Sequence, residues 1–382
     1  MTGPFGATPG RDDEMAGTDT KPLEVAIVGS GFMGRVHADA ARVNGAHVRG
    51  AGVSQPERAE RAMRELGVDR VYLSPDEVAG DDTVDVVHVC TPNVHHAAYV
   101  EAALNAGKHV VCEKPLAISL DEAARLTALA DARDVVSAIP FVYRYYPTVR
   151  EAEARVASGA LGSIRLVHGT YLQDWLSDLR AWNWRASPEL GGPSRAFGDI
   201  GVHWCDLAEF ITGDRISRVA VRMSFASSET SEPRRAKTED AVVLAFEMAE
   251  AAIGTVAVSQ VSHGQKNRLW IEVDGTDGAV VFDHERPDIL MASRHAQTNV
   301  VRQGDPGLSD AALAYSRVPV GHPQGYTDCF VLFVRDVYRA IGGERPAGLP
   351  TFADGLRAAQ ITEAVLRAAT SSSWIAVESA AA

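Results

Sequence analysis

A glycine-rich loop near the start of the chain restricts its fold more than any other sequence feature. Residues 29–34 read Gly-Ser-Gly-Phe-Met-Gly, directly after the apolar run Leu23–Val28 and directly before a helical stretch. In this strand-to-helix setting Gly29 permits a tight turn, Gly31 lets the backbone approach a pyrophosphate, and Gly34 allows close packing of helix on strand. Unpaired amides at the helix start favour negative charge. The loop therefore predicts a dinucleotide-binding unit.

Strand and helix patterns alternate through the first part of the chain. Continuous apolar strands separated by helices predict a parallel sheet that is covered on both faces, which is a doubly wound Rossmann domain. The predicted strands are Leu23–Val28, His47–Val53, Val84–Cys90, His109–Cys112 and Val135–Ile139, and the predicted helices are Arg35–Val43, Pro56–Leu66, His95–Ala106 and Leu120–Ala132.

The pattern changes after Pro147, where strands follow one another without helices between them. Short links between several of these strands are typical of hairpins. The sequence therefore predicts a second, α+β domain with a large, mostly antiparallel open sheet. Its predicted strands are Ser163–Tyr171, Arg215–Ser224, Asp240–Met248, Ala252–Val261, Leu269–Val273 and Ala279–Phe282, its predicted helices are Val149–Ser158, Val202–Ile211, 327–341 and 353–369, and 227–238 is predicted to be a loop.

The 382 residues are ample for two such domains. We predict a disordered tail over residues 1–21, a dinucleotide-binding domain over 22–146, and a substrate-binding and oligomerisation domain over 147–382. The net charge of −13 argues against nucleic acid or an anionic membrane as the main partner. No apolar run is long enough to span a membrane and no secretion signal is evident, so we expect a cytoplasmic protein.

Chemistry on a doubly wound sheet is expected at the carboxyl ends of its strands. The residues just after the predicted strands are Ser54, Thr91-Pro92-Asn93, Glu113-Lys114-Pro115 and the segment 141–147. The four cysteines are scattered and show no zinc-ligand spacing, so we predict buried thiols and no metal site.

Four short motifs in the same order resemble the GFO/IDH/MocA family of oxidoreductases. They are the loop at 29–34, Thr91-Pro92-Asn93, Glu113-Lys114-Pro115 and Gly198-Asp199-Ile200-Gly201-Val202-His203. The resemblance covers nearly the whole chain, from about residue 23 to about residue 370. It implies the two-domain architecture and hydride transfer between a nicotinamide cofactor, NAD or NADP, and a hydroxyl group of a sugar or cyclitol.

The resemblance also implies a catalytic group made of Lys114, Asp199 and His203. Lys114 would lie beside the nicotinamide, where partial desolvation and a cationic ring favour the proton-accepting amine. Pro115 would fix the backbone there, including through a cis bond. Asp199 and His203 are spaced i, i+4, so on a helix start they face the same side. We expect them to orient the substrate and to exchange protons near neutral pH.

Aromatic and polar residues crowd the segment that should build the substrate cleft. Indole faces suit sugar C–H edges, and amide, carboxylate and guanidinium groups suit hydroxyls; packing in the core or at an interface is an equal alternative. The predicted substrate-binding residues are Lys114, Tyr143, Tyr171, Asp174, Trp175, Trp184, Arg185, Asp199, His203 and His322, with Gln173, Trp182 and Asn183 in the same segment.

The sequence leaves the choice between NAD and NADP open. Ser54 stands where an NAD enzyme usually offers an acid to the ribose hydroxyls, and Arg58 follows, so a 2′-phosphate could be held. The predicted cofactor-binding residues are Gly29, Gly31, Phe32, Met33, Gly34, Ser54, Arg58, Thr91, Pro92, Asn93, His96, Glu113, Lys114 and Arg144.

Two other functions compete with a dehydrogenase or reductase that acts on a sugar, sugar derivative or inositol. One is a glycosidase that uses tightly held NAD for a transient oxidation, and the other is a non-catalytic sensor of dinucleotide or sugar. The presence of Lys114, Asp199 and His203 favours the dehydrogenase. The resemblance also implies a homodimer or homotetramer that pairs through the open sheet.

Overall fold

A computed structural model describes residues 21–178, 183–225 and 238–378 of the chain. The predicted tail lies outside these residues apart from Lys21, and the predicted loop 227–238 lies outside them apart from Thr238. Among the described residues, we find no helix that combines the length and the apolar character needed to cross a membrane.

The first part of the chain forms a six-stranded parallel sheet in the order β3-β2-β1-β4-β5-β6. Its central strands are buried because their Val, Ala and Ile side chains have helices on both faces. The strands are β1 Glu24–Val28, β2 His47–Gly52, β3 Arg70–Tyr72, β4 Val86–Val89, β5 His109–Cys112 and β6 Ser137–Ala138, and the helices are α1 Phe32–Val43, α2 Ala59–Leu66, α3 Pro75–Ala79, α4 His96–Asn105 and α5 Leu120–Asp131.

The second part forms a nine-stranded sheet in the order β14-β13-β12-β11-β7-β10-β9-β8-β15. All of its neighbouring strands are antiparallel except β7 and β10, which run parallel. The strands are β7 Ile164–Leu172, β8 Ile216–Ser224, β9 Ala241–Met248, β10 Ile253–Ser259, β11 Arg268–Gly275, β12 Ala279–Asp283, β13 Ile289–Arg294, β14 Gln297–Arg302 and β15 Ile375–Ala376.

Helices cover one face of the second sheet and connect it to the first. The helices are α6 Pro147–Ala157, α7 Pro188–Gly191, α8 Val202–Thr212, α9 Asp310–Leu313, α10 Tyr326–Ile341 and α11 Phe352–Ser371. Helices α6, α8 and α11 contact the inner face of the sheet, whereas α10 packs on α1 and α11 packs on α5 of the parallel half. The last helices therefore hold the two halves against each other.

The predicted fold class is confirmed, with additions that the sequence did not indicate. Strands β3, β13, β14 and β15 and helices α3, α7 and α9 were not predicted, and α1 begins at Phe32 rather than at Arg35. The predicted helix Pro56–Leu66 is a 3₁₀ turn over Pro56–Arg58 followed by α2. The domain boundary at residue 146 stays a prediction.

Candidate active site

The glycine loop forms the turn between β1 and α1. Gly29 has φ = +102°, and a Cβ there would lie 2.5 Å from the backbone oxygen of Cys90. A Cβ on Gly34 would lie 1.9 Å from the backbone oxygen of Gly29, whereas one on Gly31 would meet no atom within 4 Å. Gly29 and Gly34 are thus required by the turn itself. Gly31 instead leaves open space in front of the helix start, where no side chain caps the free amides.

A cleft of about 1080 Å³ lies above this turn and runs between the two halves of the molecule. Its volume and its mixture of glycine, aromatic and charged walls suit a dinucleotide together with a small polar molecule. The predicted site residues that line it are Gly29, Gly31, Phe32, Met33, Ser54, Arg58, Thr91, Pro92, Asn93, Glu113, Lys114, Tyr143, Tyr171, Trp175, Trp184, Arg185, Asp199 and His203.

Lys114 and Asp199 meet across the cleft. Lys114 follows β5 in the first half, and its peptide bond to Pro115 is cis, as the sequence suggested. Its Nζ donates hydrogen bonds to the Asp199 carboxylate Oδ1 at 2.7 Å and to the Asp199 backbone oxygen at 2.5 Å. Both side chains are largely buried, 13% and 18% exposed. The ion pair fixes the position of the lysine head group at the junction of the two halves.

A π-helical turn, Phe197–Gly201, presents Asp199 to this junction at the start of α8. The Asp199 carboxylate also accepts a hydrogen bond from Gln260 Nε2 at 2.7 Å and has Arg185 Nε at 3.5 Å. Burial alone would raise the pKa of Asp199, but the charges of Lys114 and Arg185 outweigh it and hold that pKa below its ordinary value. The group is a carboxylate at neutral pH.

His203 lies on the first turn of α8 and is largely buried beside the ion pair. Burial, together with the charge of Lys114, lowers its pKa well below the ordinary value, so the imidazole is neutral at pH 7. Its Nδ1 has no hydrogen-bond partner among the described residues. The ring packs edge-on against Phe141 and Tyr143, with centroids 5.6 Å and 5.2 Å away. This packing orients a neutral imidazole along the cleft wall.

The floor of the cleft beside His203 is a network of neutral polar groups. The Tyr143 and Tyr171 hydroxyls lie 2.5 Å apart, and Tyr171 donates to Asn267 Oδ1 at 3.0 Å. Gln173 Nε2 donates to the same Asn267 oxygen at 2.6 Å. Burial raises the pKa of Tyr143 and of Tyr171, so both phenols stay protonated. Such groups bind hydroxyls without adding charge.

Two indole rings and a guanidinium form another part of the cleft lining. The guanidinium carbon of Arg185 lies 4.4 Å from the ring centre of Trp184 and 5.8 Å from that of Trp175. Trp175 Nε1 donates to Gln173 at 2.7 Å, which joins this wall to the floor. Trp182, a further candidate, lies outside the described residues. Flat apolar faces with a hydrogen-bonding rim are suited to a sugar or cyclitol ring.

Five predicted site residues do not line the cleft. Gly34 packs beneath the turn. The other four also lie outside the cleft lining, and their predicted roles stay predictions. His96 is buried, with its ring nitrogens 2.8 Å and 3.0 Å from the backbone oxygens of Pro115 and Thr91. Arg144 pairs with the carboxylates of Asp206 on α8 and Asp354 on α11. Asp174 forms an outer ion pair with a lysine, and His322 lies in an exposed turn.

Several cleft residues were missed by the sequence analysis. Arg35 and Arg61 accompany Arg58 at the end of the cleft near Ser54, and their spacing on two helices was a usable but overlooked signal. Tyr326 and Phe330 come from α10, and no local motif marks them. Asn267 lies just before β11 and was likewise not predicted.

Glu113 has a role beneath the cleft. Its carboxylate accepts a hydrogen bond from the Lys114 backbone amide at 3.2 Å and lies 3.2 Å from His37 Nε2. The other nitrogen of His37 lies 3.0 Å from His88 Nδ1 in the interior of the first half. Burial would raise the pKa of Glu113, but the His37 hydrogen bond, the charge of His37 and the charge of Lys114 together lower it. A buried polar network thus supports the lysine from below.

Comparisons with known proteins agree with this architecture. Residues 23–141 match the profile described as an oxidoreductase family with an NAD-binding Rossmann fold, and residues 149–281 match the GFO/IDH/MocA C-terminal domain. Levoglucosan dehydrogenase from Pseudarthrobacter phenanthrenivorans is 30% identical over 93% of this chain and 98% of its own length. Myo-inositol 2-dehydrogenase from Thermotoga maritima is 27% identical over 79% of this chain and 90% of its own.

Solved structures of similar proteins lead to the same family. A levoglucosan dehydrogenase in complex with NADH and L-sorbose superimposes with a TM-score of 0.87 at 30% identity, covering 94% of this chain and all of that one. An inositol dehydrogenase homolog from Azotobacter vinelandii, in complex with NADH and myo-inositol, has a TM-score of 0.83 at 29% identity over 93% and 98% of the two chains. The family that the four motifs indicated is therefore confirmed, and this chain belongs to the GFO/IDH/MocA oxidoreductases as an NAD-binding enzyme of the sugar and inositol dehydrogenase type.

Proposed function

We propose that the protein transfers a hydride between NAD or NADP and a secondary hydroxyl of a sugar, sugar derivative or inositol. The observation that carries the proposal is the contact of Lys114 Nζ with Asp199 at the junction of the two halves, with the neutral His203 beside it. These groups come from both halves and converge on one cleft with a pyrophosphate-type turn at its other end. A bound nicotinamide supplies the hydride acceptor or donor.

Lys114 exchanges the hydroxyl proton in this proposal. In alcohol oxidation the neutral amine form of Lys114 takes the hydroxyl proton as the carbon gives up its hydride and a carbonyl forms. In ketone reduction the ammonium form, which pairs with Asp199, returns that proton. Asp199 keeps the Lys114 head group in place through two hydrogen bonds. Its second carboxylate oxygen is held by Gln260, which prevents it from rotating away. His203 offers a ring nitrogen to the same hydroxyl or to its neighbour.

The cleft walls suit an uncharged polyol. Tyr143, Tyr171 and Asn267 offer neutral donors and acceptors, and Trp175 and Trp184 offer apolar faces. Levoglucosan and myo-inositol, the compounds named for the relatives, are the first compounds to test, followed by L-sorbose with reduced cofactor. Purified protein should change the absorbance of the nicotinamide cofactor with at least one compound of this panel. Glycoside cleavage without net cofactor change would instead indicate the glycosidase.

The cofactor end of the cleft should accept NADP as well as NAD. Ser54 carries no charge that would repel a 2′-phosphate, and Arg58, Arg61 and Arg35 line the cleft nearby. Glu65 pairs with Arg61 and Arg35, so Arg58 is the candidate that we propose for the phosphate. A Ser54→Asp variant should lose at least about tenfold in kcat/KM with NADP because like charges repel, and much less with NAD. Equal losses with both cofactors would contradict this assignment.

We also propose a homodimer or homotetramer that is built on the outward face of the nine-stranded sheet. Val243 and Ile253 are more than half exposed there, at 57% and 58%, and Val300 is 49% exposed. Apolar side chains on an open sheet face favour burial by another surface. Sedimentation should give a multiple of the chain mass, and Val243→Asp should shift it towards the monomer. The cytoplasmic location stays a prediction.

A further inference from the structure

A tyrosine hydroxyl from α10 lies in the cleft with only a weak hydrogen-bond partner. Tyr326 is the first residue of α10 and lines the cleft, together with Phe330 one helical turn further on. The hydrogen bond found for its hydroxyl among the described residues is to Met33 Sδ at 3.8 Å. A thioether sulfur is a weak acceptor, and a phenol oxygen can itself accept hydrogen bonds. The hydroxyl is therefore available to a molecule that binds in the cleft.

The packing around Tyr326 holds its ring in this position. Gly325 precedes the helix, and its amide donates to Asp328 Oδ2 at 2.9 Å, which fixes the start of α10. The Tyr326 ring packs edge-on against Phe330 with centroids 5.1 Å apart, and Phe330 packs edge-on against His37 of α1 at the same distance. Helix α10 as a whole packs on α1. The hydroxyl is therefore presented to the cleft by a packed helix and not by a loop.

The hydroxyl keeps its proton at neutral pH and can therefore donate a hydrogen bond. Burial raises the pKa of Tyr326 well above the ordinary value, and the charges of Glu113 and Asp199 raise it further. Both carboxylates act on Tyr326 because it lies on the same side of the cleft as Lys114, which follows Glu113 in the chain and pairs with Asp199. Tyr326 is thus a neutral donor close to the proposed reaction centre.

The order of the strands determines which half of a dinucleotide should lie at Tyr326. Strand β2 lies on one side of β1, and β4 and β5 lie on the other side. On a doubly wound sheet the adenine-side ribose binds at the end of the second strand, here beside Ser54, and the pyrophosphate binds at the start of α1. The nicotinamide nucleoside should therefore extend from the glycine loop towards β5 and Lys114. Tyr326 contacts Met33 in the first turn of α1 and lies close enough to Glu113, directly after β5, for that charge to act on it.

We propose that the Tyr326 hydroxyl binds the nicotinamide nucleoside of the cofactor through a hydrogen bond to its ribose hydroxyls or to its carboxamide. Tyr326 is then a cofactor-binding residue that the last part of the chain contributes, whereas the glycine loop of the first half holds the pyrophosphate. This assignment deepens the proposed function, but it rests only on the binding of the dinucleotide. It can therefore be tested without any turnover, and it stands or falls separately from the proposed substrate.

Equilibrium binding to the full-length Tyr326→Phe variant tests the assignment, because this variant loses the hydroxyl and keeps the ring that packs on Phe330. Nicotinamide fluorescence follows NADH binding without substrate, and displacement of NADH measures the binding of ADP, which lacks the nicotinamide nucleoside. The Kd for NADH should rise about three- to tenfold, the loss typical of one neutral hydrogen bond, and the Kd for ADP should stay the same.

ADP-ribose identifies the group that the hydroxyl contacts, because it keeps the second ribose and lacks the nicotinamide. A loss of ADP-ribose affinity that parallels the loss of NADH affinity assigns the hydrogen bond to the ribose. An unchanged affinity for ADP-ribose, beside a weakened affinity for NADH, assigns it to the carboxamide.

Tyr315→Phe is the matched control. Tyr315 is a buried tyrosine whose hydroxyl donates to Asp336 Oδ2 at 2.7 Å, and it lines a separate cavity. This variant should bind NADH as tightly as the wild type does. Should Tyr326→Phe fail to fold, as judged by circular dichroism, a structure of the wild type with NADH provides the second test. It should place Tyr326 Oη within about 2.5–3.2 Å of a polar atom of the nicotinamide nucleoside.

Three results would refute the assignment. The first is a Tyr326→Phe variant that binds NADH as tightly as the wild type does. The second is an equal loss of affinity for NADH and ADP, which would indicate a general disturbance of the cleft. The third is an effect confined to the KM for the polyol, which would assign the hydroxyl to the substrate.

Discussion

Replacing Lys114 by alanine should remove most of the catalytic rate while the fold persists. In the structure, Lys114 Nζ lies 2.7 Å from Asp199 Oδ1 at the junction of the two halves. A positioned proton acceptor typically contributes about 10²–10⁴ in rate. We therefore expect kcat/KM with the best polyol of the panel to fall by about 10²–10⁴, which corresponds to about 3–5.5 kcal/mol of transition-state stabilisation.

The effect on stability should be smaller than the loss of a fully buried ion pair, which costs about 3–5 kcal/mol. Asp199 keeps the hydrogen bond from Gln260 at 2.7 Å and the nearby guanidinium of Arg185 after the lysine is removed. Its carboxylate is therefore not left without a counter-charge. We expect the free energy of unfolding to fall by about 1–3 kcal/mol, in the range for a buried group that loses one partner.

Stopped-flow measurement of nicotinamide absorbance in single turnovers reports hydride transfer directly and separates it from product release. Lys114→Ala should still bind NADH, as judged by nicotinamide fluorescence, and primary amines added to the buffer should restore part of its rate. Lys266→Ala is the matched control. Lys266 also pairs with an aspartate, at 2.6 Å, but its side chain is 78% exposed. The reasoning is refuted if Lys114→Ala keeps more than about one-tenth of the wild-type rate.

Three further variants and one pH series test other parts of the structure. Gly34→Ala should lower the free energy of unfolding by about 1–3 kcal/mol because the turn becomes overpacked. Gly31→Ala should instead leave the stability unchanged and weaken cofactor binding. Urea titration and NADH titration should therefore separate the two variants. Arg144→Met removes the largely buried cation between Asp206 and Asp354 and should cost about 3–5 kcal/mol in urea unfolding. A cost below about 1 kcal/mol would contradict its structural role. His88 and His203 are buried with pKa values held below the ordinary 6.5, mainly by burial. The unfolded chain therefore binds more protons than the folded chain below about pH 6.5. The free energy of unfolding should fall as the pH drops from about 7 to 5, by up to about 1.4 kcal/mol per pH unit for each histidine. A free energy of unfolding that does not change with pH in this range would contradict this.

The sequence predicted those parts of the site that follow strand ends in short motifs. The loop at 29–34 and Lys114 were identified because each follows a predicted strand, whereas Asp199 was identified through the family motif at 198–203. Hydrophobic runs and turn residues are local properties, and the parallel sheet follows from them. The alternation of strand and helix was therefore sufficient to predict the first domain.

Residues whose place depends on distant partners were not predictable in this way. Arg144 follows Tyr143 directly, yet the 3₁₀ turn at Val142–Tyr145 directs it to Asp206 and Asp354, which are 62 and 210 positions further along the chain. His96 was predicted to bind the cofactor, but both of its ring nitrogens lie at hydrogen-bond distance from backbone oxygens. No property of the neighbouring sequence indicates those contacts.

Strands at the edges of the sheets were missed for a similar reason. β3 has three residues, and the side chains of β14 are mostly exposed, so neither shows the apolar alternation of a half-buried strand. Tyr326 and Phe330 reach the cleft because α10 packs on α1, a contact between the two ends of the chain. Such long-range packing has no local signal.

A structure of the protein with a nicotinamide cofactor and the best substrate of the panel tests the central claim most directly. It should place the reacting hydroxyl oxygen within about 2.6–3.2 Å of both Lys114 Nζ and a ring nitrogen of His203, with its carbon facing the nicotinamide. A substrate bound with every hydroxyl beyond the reach of Lys114, above an otherwise ordered cofactor, would contradict the proposed chemistry.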